Sequence, residues 1–140
     1  MFRIAGFPEP PRPEPEAAPG TSPATLRRAF ALVDEVVTEI YMMTARFSPE
    51  ERDRMGADLR GRARGAALAL LASPGRPRTA EALEALIALR YLLSVSRRMG
   101  LVEMRRYRGL CAREDKAAEA LRILRPAMPR AESTAGGGGD

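Results

Sequence analysis

The chain is 140 residues long, 45% hydrophobic, 29% charged and 5% aromatic with no Trp, the balance expected of one globular domain with an aliphatic core. Basic residues outnumber acidic ones 23 to 18, and all but Lys116 are Arg, so the net charge of +5 points toward polyanionic partners. With no His and a single thiol at Cys111, the composition argues against metal-dependent, thiol and general acid-base enzymes; no catalytic residue, metal ligand or cofactor is expected. The longest uncharged run, 65–75, is too short to span a membrane, and MFRIAGFPEP lacks the apolar stretch of a secretory signal. A reducing, cytoplasmic setting is expected.

In chain order, 1–20 is a Pro/Glu-rich arm whose segment PEPPRPEPEAAPG cannot build a core, and it is expected to be disordered. A first helix opens at Ser22-Pro23, with Leu26, Phe30, Val33, Val37 and Ile40 as an apolar seam running to about Arg46. A second opens at Ser48-Pro49-Glu50-Glu51, where Ser48 and Glu51 have capping-box spacing. It continues through Met55, Leu59, Ala63, Ala66 and Leu70 to about Ala72, and Ser73 to Pro77 end it. Thr79 caps a third helix that is apolar around much of its circumference, through Leu83, Leu86, Ile87, Leu89, Leu92, Leu93 and Val95.

Gly100-Leu101 reads as a Schellman stop, with Leu101 packing back toward Val95. The fourth helix is expected from about Val102 to Arg125 with Met104, Tyr107, Cys111, Ala118 and Leu121 facing inward, and the Gly-rich 127–140 is expected to be a disordered tail. No stretch has the alternation of a strand. The fold class is therefore all-α, an antiparallel up-down-up-down four-helix bundle over 21–126.

Both tails carry a small negative charge, so the bundle holds the basic excess. One group of arginines, Arg60, Arg62 and Arg64, falls on the second helix. A second group, Arg97, Arg98, Arg105, Arg106, Arg108 and Arg113, surrounds the turn between the third and fourth helices with only Glu103 to offset it in sequence. Like charges on neighbouring helical turns repel by a few tenths of a kcal/mol. Two readings stay open: solvated faces of an Arg-rich chain, or a surface for phosphates. Tyr41, Tyr91 and Tyr107 lie at or near the seams and are expected in the core, so backbone contact is expected without base stacking. Glu114 and Asp115 point about 100° apart on a helix and are read as partners of nearby arginines, not as a catalytic pair.

The segment FSPEERDRMGADLR (47–60) resembles the F-P-x-E-E-R…L-R opening of the second helix in the four-helix-bundle proteins encoded in large-subunit rRNA intervening sequences. LRYLLSVSRRMGLVEMRRY (89–107) is similar to the L-R-F-L-L-R-L-A…L-x-L-L-S…Y stretch of the accessory variability determinant (Avd) proteins of diversity-generating retroelements, with Leu89, Arg90, Leu92, Leu93, Leu101 and Tyr107 matching. The ALALLASPG that follows the second helix replaces the N-I-A-E-G of the intervening-sequence branch and favours the Avd branch. The resemblance implies a noncatalytic, basic homopentameric barrel that binds RNA or RNA/cDNA and partners a reverse transcriptase during mutagenic reverse transcription. The second possibility is a protein-interaction bundle of the intervening-sequence type without that polymerase. Arg60 and Arg90 fall on matching positions; the other arginines enter the expected nucleic-acid site through charge alone.

Overall fold

A computed structural model describes residues 22–72 and 78–124; the expected arm 1–20, the turn 73–77, Arg125 and the expected tail 127–140 lie outside the described residues. Among those described, the secondary structure is entirely helical. We label the helices α1 (Pro23–Thr44), α2 (49–71), α3 (Thr79–Arg98) and α4 (Met104–Leu124). Each packs on the next, and α4 packs on α1, so the four form a closed ring around one core. No described helix is long and apolar enough to cross a membrane.

The expected caps of α1 and α2 form. The Ser22 hydroxyl accepts from the Thr25 amide at 3.1 Å and the Ser48 hydroxyl from the Glu51 amide at 3.3 Å, each ahead of a proline in the first turn. At the C-terminus of α3, Gly100 has φ +81. Its amide donates to Arg97 O at 3.0 Å and that of Leu101 to Ser96 O at 2.9 Å, the paired bonds of a Schellman stop. Leu101 is half-buried against the core.

Three boundaries and faces differ from expectation. Thr79 is the first, buried residue of α3 and not its cap; Arg78 takes that position, fixed by its amide bond to Ala69 O at 3.0 Å. α4 starts two residues late, because Val102 is buried in the turn. Its inward stripe is Leu110, Glu114, Ala117, Ala120, Leu121 and Leu124, whereas Met104 is exposed and Tyr107, Cys111 and Ala118 stand on the flank. The apolar periodicity is real, but the buried line is rotated so that it admits a carboxylate. α1 is similarly turned: Ala29, Val33, Val36, Ile40 and Met43 are buried, and Leu26, Phe30 and Val37 are only half-buried.

α2 contains a π-helical turn, Arg52–Gly56, between a first α-helical turn Pro49–Glu51 and the helix Ala57–Leu71. Gly56 is buried where a Cβ would come within 3.4 Å of Thr44 Cβ and 3.1 Å of Arg60 Nη1, so α1 and α2 approach closely here. Ala63, Ala66 and Ala69 continue this small buried face. Leu59, Leu89, Leu93, Leu121, Val33 and Ile40 fill the centre, each contributing on the order of 1.5–3 kcal/mol by leaving water. The buried hydroxyls of Thr44 and Ser96 are satisfied by Ile40 O and Leu92 O, both at 2.9 Å.

Candidate nucleic-acid interface

The ten arginines expected to bind nucleic acid separate into held and free groups. On the α1/α2 seam, Arg60 donates to Thr44 Oγ1 at 3.2 Å and to Arg52 O at 3.3 Å, and its guanidinium lies 5.9 Å from the centre of the Tyr41 ring. Arg60 thus braces the π-helical turn. Arg64 donates to the Tyr41 hydroxyl at 2.8 Å and remains exposed, with donors to spare. Arg62 is exposed with no partner among the described residues. It does not join Arg60 and Arg64, since two residues along a helix turn a side chain to the far side.

Around the α3/α4 turn the charge is lower than the sequence suggests. α1 supplies two acids: Arg106 meets Glu39 at 3.7 Å, and Arg113 meets Glu35 at 3.4 Å and Glu39 at 4.0 Å. Six arginines then face Glu103, Glu35 and Glu39, leaving +3 where local sequence alone leaves +5. Arg97 stacks 5.3 Å from the centre of the Tyr107 ring, with a buried Nε that has no acceptor. Arg98 bonds only the Ser94 hydroxyl, at 2.7 Å, and Arg105 and Arg108 are exposed without an ionic partner among the described residues.

Arg105, Arg106 and Arg113 line a cleft of about 350 Å³ with Glu39, Glu103 and Leu110, floored by Gly109, where a Cβ would meet nothing within 4 Å. Through Gly109 and Arg113 the cleft continues into a groove of about 370 Å³ that reaches Lys116. The α1/α4 seam is therefore a trough with a basic wall on α4 and carboxylates on α1. An entering phosphate would exchange a protein carboxylate for itself on guanidinium groups already in position, a planar-fork contact that lysine cannot make.

Arg90, expected on the nucleic-acid surface, is half-buried and committed to partners across the α3/α4 seam. Its Nε donates to Glu114 Oε1 at 2.7 Å, and its Nη2 donates to Asp115 Oδ1 at 2.5 Å and to Cys111 O at 3.1 Å. The expectation that Glu114 and Asp115 pair with arginine is met by this one cross-helix residue. Glu114 is 3% exposed and its Oε2 has no hydrogen-bond partner. Burial pushes its carboxyl up to about 7 despite the opposing pull of Arg90. Burial also works against the Arg90 charge, but the bonds to both acids outweigh it and raise Arg90 further.

A carboxyl whose pKa is raised by folding stabilises the fold fully below its unfolded value of 4.5 and loses that contribution as pH rises through about 7. Thermal midpoints taken from pH 5 to pH 8 are thus expected to fall by several degrees in the parent. The Glu114→Gln variant should lack this slope, and equal slopes would contradict the assignment.

Two site features escaped sequence reading. Tyr41 and Tyr91 are exposed, 40% and 64%, contrary to their expected place in the core. The burial of Glu114 and the identity of its partner are also not anticipated, although an acid on the Leu110-Glu114-Ala117-Leu121 line facing an Arg on the Leu83-Leu86-Arg90-Leu93 line is a usable signal. Cys111 is half-buried and free, with its carbonyl rather than its thiol engaged. Among the described residues no cluster of three or more acids or thiols could hold a metal. No family model, curated protein or solved structure matches the chain.

Proposed function

We propose that the protein is a noncatalytic, nucleic-acid-binding accessory protein of the Avd kind: an antiparallel up-down-up-down bundle that assembles as a basic homo-oligomer, a pentamer by resemblance. In this reading it holds RNA or RNA/cDNA for a reverse transcriptase. The antiparallel order is supported by the direction of the cross-helix contacts. Arg90 and Arg97 of α3 meet Glu114 and Tyr107 of α4, Glu35 and Glu39 of α1 meet Arg113 and Arg106, and Tyr41 and Thr44 meet Arg64 and Arg60. Each pair rises on one helix as it falls on the other. Such an order places both short turns at one end, with Arg97, Arg98, Arg105, Arg106 and Arg108 around one of them and Arg60, Arg62 and Arg64 midway along α2.

The observation that carries the nucleic-acid reading is that Arg98, Arg105 and Arg108 crowd that end with no acidic partner among the described residues, although other arginines do recruit acids. Crowded guanidinium groups cost folding energy that a polyanion returns as affinity. Fluorescence anisotropy of a labelled structured RNA at low salt tests this. Saturable binding displaced by heparin is expected, and a flat titration would overturn the reading. Exposed Ile87 and Leu68 favour a second reading, a protein-interaction bundle, whose mark would be partner capture insensitive to salt.

A further inference from the structure

Tyr91 and Ile87 lie one turn apart on the outer face of α3, 64% and 69% exposed. Two turns beyond Tyr91 on the same face, Arg98 folds back to bond Ser94 Oγ at 2.7 Å, so its charge leans toward the tyrosine. Across the seam, Arg97 lies over Tyr107 at the start of α4. An exposed aromatic ring on the same helix face as an exposed guanidinium that no acid engages among the described residues is a pairing that can hold an unstacked base: the ring takes the base face and the cation a flanking phosphate. A second copy of the chain fits this face less well. Interface cores are depleted of charge, and this face carries the exposed guanidinium of Arg98.

We propose that Tyr91 is a stacking platform for an unpaired nucleobase, with Arg98 neutralising the adjacent backbone, so that the chain prefers single-stranded segments over bare polyanion. The proposal rests on the nucleic-acid reading above and narrows it to a class of substrate.

The test compares a labelled oligouridylate with an abasic oligomer of equal length, which carries the same phosphates and no bases. The parent is expected to bind the oligouridylate more tightly. Tyr91→Ala is expected to lose about 5- to 100-fold for the oligouridylate with little change for the abasic strand, and Tyr91→Phe to retain binding. Tyr91 is exposed, so both variants should fold, which circular dichroism checks. Equal affinity of the parent for both strands, or a Tyr91→Ala variant unchanged on oligouridylate, overturns the stacking site while leaving the polyanion reading standing. Binding of neither strand overturns both. A Tyr91→Ala variant whose particle mass drops in light scattering would assign the face to contact between copies and likewise overturn the proposal.

Discussion

Replacing Arg90 by Leu is expected to destabilise the bundle by about 2–4 kcal/mol at pH 8, a fall of at least about 8 °C in thermal midpoint. The cause is the partner left behind. Glu114 is 3% exposed and keeps only Arg90 as a hydrogen-bonded counter-charge, so its removal strands a carboxylate among Leu110, Ala117 and Leu121. The loss is set below that of a fully buried pair because the Arg90 side chain is itself 39% exposed and partly screened.

The variant carries a pH signature. Without Arg90 the Glu114 carboxyl loses the partner that holds it down and rises further, so at pH 5 it is neutral and the destabilisation shrinks. Arg90→Leu with Glu114→Leu should recover most of the loss, since a buried ion pair replaced by apolar residues is often neutral. An equal loss at pH 5 and pH 8, or a double variant as unstable as the single, would show that Arg90 acts through its contacts with Asp115 and the Cys111 carbonyl.

Reversing charge at Arg98, Arg105 and Arg108 together is expected to reduce polyanion affinity on the order of 100-fold and to make the logarithmic salt dependence shallower by about 2–3, one contact's worth per residue. These three are chosen over Arg97, whose Nε is buried above Tyr107, and over Arg106 and Arg113, which tie α4 to Glu39 and Glu35. Their side chains hold no other helix in place, so helical content should not change. Reversal at exposed Arg27, Arg28 and Arg122 alters net charge equally, but near the start of α1 and the end of α4, away in sequence from the α3/α4 turn. If that control loses as much, affinity follows total charge and the cluster has no special part.

The helices, the caps of α1 and α2 and the Gly100 stop are legible because each rests on local chemistry: a hydroxyl ahead of a proline, an apolar period, a glycine at positive φ. What escaped depends on neighbours distant in sequence. The π-helical turn requires Gly56 against Thr44 and Arg60 reaching back to Arg52 O, and no local pattern encodes that contact. The rotation of α4 follows from Arg90 drawing Glu114 inward across 24 residues. Two of the six arginines around the α3/α4 turn are less free than the sequence suggests for the same reason: Glu103 is the only acid near them in sequence, while α1 brings Glu35 and Glu39 to Arg113 and Arg106. The near-seam position of Tyr91 predicts a place in the core, and only the placement of α2 and α4 against α3 leaves that face open.

The central claim, an oligomeric basic surface for nucleic acid, is tested most directly by measuring affinity for structured RNA across a salt series, with particle mass recorded by light scattering in the same buffers. The account predicts a particle of several protomers whose affinity falls steeply and linearly in logarithmic salt. A monomer, or binding that is absent or indifferent to salt, would contradict it.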